Sequence, residues 1–380
     1  MDNKRKEECY EFGYSVFGPF LASYTNWLHS RVKEICPEKI FFFSRDGFLM
    51  KVCYDILEKR KPNHIPTEYI NVSRKSLRTP LIWTRHTFEG TLDLLSWQRY
   101  ISYREVDSFW NIPDERMSEH ADKLDCFIPY GKLKDDEFLR SVYDANKNYI
   151  EDISREQFNA LKLYLSQNGM EGNIVIVDIG WHGSMQYLLE QFLLHNAKDV
   201  NVHGLYVGIG QSKGLKGSTD GFIYSYEEDP RKSLVLCFLG GLERLFQSFE
   251  GTTIGYEIVN GIASPILDKF EYKPGDVTIE AIETIQTAAI NYVKEGKEEN
   301  ASVLLKFGQS PTLSQLKIFK DFYTIDGGIK SYLLPQKRFY QYKFSELIHE
   351  LSKSSWKTGF LKEIFKLPFP YYYIYKLLKK

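Results

Sequence analysis

Three short polar segments of the chain combine residue types that handle phosphate: Ser44-Arg45-Asp46-Gly47, Ser73-Arg74-Lys75-Ser76 and Asp178-Ile179-Gly180-Trp181-His182-Gly183-Ser184. Each follows a run that reads as a strand. Arginine offers a planar fork that matches phosphate oxygens bidentately, and lysine adds a compact positive charge. A glycine-rich turn ahead of a helix turns backbone N–H groups towards an anion and lets the backbone come close to it. Asp46 suits a Mg²⁺ ion or the holding of Arg45. Asp178 suits a helix cap, or hydrogen bonds to sugar hydroxyls or a metal-bound sugar. Together these are the parts of a site for a phosphorylated sugar.

A transfer to a sugar hydroxyl also needs a group that takes the proton. Asp46 is one candidate. Glu243, in Gly240-Gly241-Leu242-Glu243-Arg244, is a second, although a surface position on a helix explains it equally well. His182 is a third, and a lone histidine is more often structural.

The elements that must position these loops read as an α/β pattern. A helix is expected over 8–35, a strand over 39–43, a helix over 48–60 and a strand over 68–72. The run Ile174–Val177 reads as a central strand covered on both faces, followed by a helix over 185–193. Residues 202–209 and 221–226 supply two more strands, and 232–250 read as helical. Between them, 86–170 contain amphipathic stretches at 92–100, 138–150 and 155–165. The expectation is therefore a mostly parallel sheet core in 1–85 and 171–265, a helical insertion in 86–170, and a helical region in 266–380. Such a sheet brings all three loops to one edge.

The balance of 49 basic and 50 acidic residues gives a net charge of -1, so no global field favours nucleic acid. Five cysteines are scattered without CxxC or Cys/His ligand spacing. The charged start lacks a signal-peptide core, and no apolar run is long enough to span a bilayer. A cytoplasmic protein is expected. The stretch Trp356–Lys380 carries six lysines against one glutamate, interleaved with Phe and Tyr. That mixture suits peripheral contact of 357–380 with an anionic membrane.

Two resemblances meet at the loops. Gly18-Pro-Phe-Leu, Phe43-Ser-Arg-Asp-Gly-Phe, Val72-Ser-Arg-Lys-Ser-Leu and Val177-Asp-Ile-Gly-Trp-His-Gly-Ser-Met-Gln resemble the C-terminal region of proteins from bacterial surface-polysaccharide clusters. Those proteins are often labelled haloacid-dehalogenase-like hydrolases, but their hydrolase signature lies in a separate region that has no counterpart here. The loops also resemble, in order and character, those of type I phosphoribosyltransferases. By that likeness Ser44, Arg45, Gly47, Arg74 and Lys75 would hold diphosphate, with Mg²⁺ at Asp46. Asp178, Gly180, Gly183 and Ser184 would hold ribose 5-phosphate. Three departures stand out: Ile179 replaces the second of two adjacent acids, the loop is slightly shorter, and nothing resembles a nucleobase hood.

Joined, the resemblances imply a glycan phosphoribosyltransferase with a type I phosphoribosyltransferase-like core. Its donor would be 5-phosphoribosyl diphosphate (PRPP), and its acceptor a sugar hydroxyl on a growing, lipid-linked polysaccharide. A separate phosphatase partner would remove the 5-phosphate. One competing class is a haloacid-dehalogenase-like phosphatase, for which Ser44 stands where the nucleophilic aspartate should be. The other is a non-enzymatic assembly protein at the membrane.

Overall fold

The computed structural model describes residues 1–380 except 114, 117–121, 197–198, 211–213, 327–328 and 379–380. Strands β1 (Lys39–Phe43) and β2 (Thr67–Ile70) open the sheet. A small antiparallel pair, β3 (Tyr100–Ser102) and β4 (Phe127–Pro129), precedes β5 (Gly172–Trp181), β6 (Val200–Ile209) and β7 (Ser218–Gly221). The main sheet has the order β2-β1-β5-β6-β7, and every pairing in it is parallel.

Alternate residues of the central strands enter two different cores, which is why β1 and β5 read as unbroken apolar runs. Phe42, Val175 and Val177 pack with the N-terminal helix Gly18–Ile35 and the helix Val277–Glu295. Phe41, Phe43, Ile174 and Ile176 pack with the helices Glu137–Gln167 and Ser184–His195. The segment 86–170 is thus one of the two layers that cover the sheet.

Several expectations need correction. The amphipathic stretches at 138–150 and 155–165 belong to one 31-residue helix, Glu137–Gln167. The stretch at 92–100 is not helical: the helix there is Phe88–Leu92, and Tyr100 begins β3. The last sheet strand lies at Ser218–Gly221 rather than 221–226. After Gly221 the chain kinks, although Phe222 and Ile223 still donate to the β6 carbonyls of Tyr206 and Val207 at 2.9 Å. The antiparallel hairpin of β8 (Thr253–Val259) and β9 (Ile262–Leu267) was not expected. Another hairpin, β10 (Tyr323–Asp326) with β11 (Ile329–Tyr332), interrupts the otherwise helical C-terminal region. Among the described residues, no helix is long and apolar enough to cross a membrane.

Gly180 is the tightest point near the site. It pairs with Gly208 across β5 and β6, has φ of 112°, and a Cβ there would lie 2.3 Å from the Gly208 carbonyl oxygen. Both the left-handed backbone and the close approach demand glycine. Gly180→Ala is expected to lower stability by about 2 kcal/mol or more, whereas Gly131→Ala, with open space around it, should leave the melting temperature nearly unchanged.

Candidate active site

The register sets the three segments level. Val177 pairs with Phe42 and Phe43 pairs with Ile70, so Ser44, Asn71 and Asp178 lie side by side at the carboxyl edge of β1 and β2, while β5 runs on beside β6 to Trp181. β1 and β5 are also the neighbours at which the strand order reverses, where open parallel sheets form their ligand crevice. A cleft of about 310 Å³ lies there.

All three loops reach it. The first contributes Ser44, Arg45 and Asp46 to the wall, and the second Arg74 and Lys75. Asp178, Gly180, His182 and Ser184 come from the third, and Glu243 from the helix Leu239–Phe246. Gly47 and Gly183 stay behind the wall. Gly47 starts the helix Gly47–Glu58, and Gly183 is the left-handed N-cap residue, φ 64°, of Ser184–His195.

Within the first loop the side chains divide their work. Ser44 Oγ donates to the Val72 carbonyl (2.9 Å) and accepts from the Val72 N–H (3.1 Å), so it clips β1 to the end of β2. The Ser44–Arg45 peptide is cis. Arg45 Nη1 donates to both carboxylate oxygens of Glu271 at 2.8 and 2.7 Å and to the Glu250 carbonyl at 3.2 Å. It therefore reaches the cleft with its charge already matched, rather than as a free cation for diphosphate. Asp46 holds the N-cap position of Gly47–Glu58 but makes no capping hydrogen bond.

The second loop spends its hydroxyls and leaves its cations. Ser73 and Ser76 form a reciprocal capping box, and Ser73 Oγ also donates to the Thr253 carbonyl at 2.5 Å. Arg74 and Lys75 open the short helix Arg74–Arg78 with exposed side chains. Among the described residues neither enters an ion pair.

The third loop supplies Asp178. A cap role for it is ruled out, because Gly183 occupies that position. Burial pushes the Asp178 carboxyl up to about 6, with Glu243 adding to the rise against the N–H groups of Ile179 and Gly180 and the Arg74 charge. Asp46 is driven further, to about 8, first by burial and then by Asp178 and Glu243, against the pull of Arg244 and Arg45. At neutral pH this favours the protonated form of Asp46. Glu243 Oε1 accepts a 2.9 Å hydrogen bond from the Trp181 indole. His182 is exposed at the mouth.

Sequence reasoning missed Glu271, which neutralises Arg45, and Thr252 and Thr253, which the β8 hairpin brings to the wall. Thr253 Oγ1 is buried there without a hydrogen-bond partner among the described residues. Trp181 lay inside the motif, but nothing in its spacing pointed to Glu243, 62 residues away. Among the described residues, no group of three or more His, Cys, Asp or Glu is arranged to chelate a metal by itself.

No family model matches the chain, and no curated protein matches it. The functional reading therefore rests on the cleft.

Proposed function

We propose that the cleft binds PRPP and transfers its 5-phosphoribosyl group to a sugar hydroxyl of a growing bacterial polysaccharide. The observation that carries this reading is the pairing of two free cations, Arg74 and Lys75, with three carboxylates, Asp46, Asp178 and Glu243, at the crevice of a parallel sheet. Such a site suits a ligand with a polyanionic end and a hydroxyl-bearing ring.

Arg74 and Lys75 neutralise the departing diphosphate, whose charge grows as its bond to C1 breaks. The Gly183–Ser184 turn receives the 5-phosphate at the start of a 12-residue helix. Asp178 accepts hydrogen bonds from the ribose hydroxyls. Mg²⁺ would fit at Asp46, whose uncapped, proton-bearing carboxyl gains from a cation that replaces the proton. Because no group of carboxylates, histidines or cysteines chelates alone among the described residues, the rest of its ligands would come from the diphosphate and water. The ion would supply further neutralisation of the leaving group.

Glu243 is the best-held base of the three candidates. Trp181 fixes its carboxylate, Asp46 favours its protonated form at neutral pH, and His182 sits at the solvent edge. Glu243 accepts the acceptor hydroxyl proton as the oxygen attacks C1 opposite the leaving diphosphate. The product is a β-ribofuranosyl 5-phosphate linkage, left for a partner phosphatase. Trp181→Phe keeps an aromatic ring but loses the indole donor, so turnover should fall roughly tenfold with donor affinity nearly unchanged.

The phosphatase alternative loses support from Ser44, whose hydroxyl is engaged by the backbone of Val72 on both its donor and acceptor sides. The two readings separate by product. Incubation with PRPP and Mg²⁺, with water or a glycan as acceptor, should release diphosphate. Release of orthophosphate from sugar phosphates, with no diphosphate from PRPP, would overturn the proposal.

A further inference from the structure

The C-terminal region carries more apolar surface than its own packing uses. In the helix Phe344–Lys353, Leu347 and Leu351 turn inward against Phe360 and Ile364. Beside that stripe, Phe344 and Ile348 form a second one, one turn apart, that faces solvent; Phe344 is 80% exposed. The helix Tyr371–Leu378 repeats the arrangement. Tyr371 and Tyr375 are buried, whereas Tyr373 and Leu377, 67% and 72% exposed, share another face. Between these helices every residue from Phe365 to Pro370 is exposed. Ring contacts join the parts: Phe339 to Phe365 at 5.4 Å, Phe365 to Tyr371 at 6.4 Å, and Phe369 to Tyr371 at 5.8 Å. So many exposed apolar side chains within one region of a folded chain mark a surface that something covers.

Lysines set the chemistry of the cover. Lys343, Lys366 and Lys376 are exposed, and Lys362 is half-buried with its ammonium on the Leu367 carbonyl. Aromatic and aliphatic tips surrounded by lysines fit an anionic bilayer surface, where rings enter the headgroup layer and ammonium groups meet phosphates. We infer that this surface, spanning Phe339–Leu378 and so wider than the tail alone, docks the protein flat on an anionic membrane. The inference stands apart from the cleft, and its test does not depend on the transferase reading.

Co-sedimentation of the full chain with sucrose-loaded vesicles tests it. Vesicles of equal parts phosphatidylcholine and phosphatidylglycerol should carry the protein down, and vesicles of phosphatidylcholine alone at least tenfold less. The paired substitutions Phe344→Ser and Phe369→Ser, both at exposed positions, should weaken binding roughly tenfold, and Lys366→Glu with Lys376→Glu at least as much. Thermal melts of these variants should match the parent. Three results would overturn the inference: no binding to the anionic vesicles, equal binding to both vesicle types, or self-association in solution that the Phe substitutions abolish, which would assign the surface to a second copy of the chain.

Discussion

Asp46→Asn is expected to abolish transfer while making the protein more stable at pH 8. The Asp46 carboxyl is lifted from an ordinary 3.8 to about 8 by burial, then by the charges of Asp178 and Glu243. Between those two values the folded protein holds a proton that the unfolded chain releases. Stability from this group is therefore fully present below the unfolded value, and it drains away as pH rises towards 8. Each pKa unit corresponds to about 1.4 kcal/mol. Asp46 keeps some contact with solvent, so the penalty by pH 8 should be about 2 kcal/mol. Asparagine carries no such penalty. The variant should match the parent in melting temperature near pH 4 and exceed it by a few degrees at pH 8. Its activity should fall about 10²- to 10⁴-fold, because the amide cannot exchange a proton for the cation that the proposed reaction needs at the leaving group. A melting curve that shifts equally at both pH values would contradict the placement of the buried proton.

Arg74→Ala and Asp178→Ala should each cost donor affinity without unfolding the chain. Arg74 is exposed and makes no ion pair among the described residues, so its loss leaves no buried partner stranded. One charged hydrogen-bonding group to diphosphate is worth about 2 kcal/mol, or roughly thirtyfold in affinity. The loss should shrink as salt rises, since the contact lies at the surface. On the proposed reading Asp178 would serve two ribose hydroxyls, and its removal should cost about 3 kcal/mol, more than a hundredfold. Asp178→Ala has a second consequence. Its charge helps hold the Asp46 carboxyl up, so its loss should move the Asp46 titration to lower pH. Isothermal calorimetry with PRPP and Mg²⁺, repeated from pH 6 to pH 8, reads both effects. Arg45→Ala should behave differently, because it leaves the half-buried Glu271 carboxylate with Arg244 at 3.9 Å in place of its two short bonds from Arg45, and so costs stability first.

Much of this arrangement is legible in the sequence, and the reasons are local. The strand ends leave local marks: Ser44 closes β1, which is apolar because it is covered on both faces, Ser73 follows the edge strand β2, and Asp178 breaks the apolar run of β5. Asp46, Arg74 and Lys75 stand directly behind those stops. What stays hidden is whatever depends on distant chain. Arg45 looks like a free cation until Glu271, 226 residues later, closes on it. Ser44, Ser73 and Ser76 look like phosphate ligands, yet their hydroxyls cap and clip the backbone. The hairpin carrying Thr253 has weak alternation and an exposed outer face, so it left no clear strand signal. Residues 221–226 alternate like a strand and do follow β6, but Gly221 bends the chain away from regular pairing. Ile179 in place of a second acid becomes intelligible here: it is buried, packing in the core beneath the loop, with no room for a charge.

The central claim is that this cleft holds PRPP with its metal ion. Calorimetric titration of the chain with PRPP in the presence of Mg²⁺ at pH 7 tests it most directly. Saturable one-to-one binding is predicted, with a heat that changes with the ionisation enthalpy of the buffer, because Asp46 gives up its proton when the cation arrives. The binding should weaken more than a hundredfold in Asp178→Ala. An absence of heat and of thermal stabilisation at millimolar PRPP and Mg²⁺ would contradict the claim, and with it the assignment of all three loops.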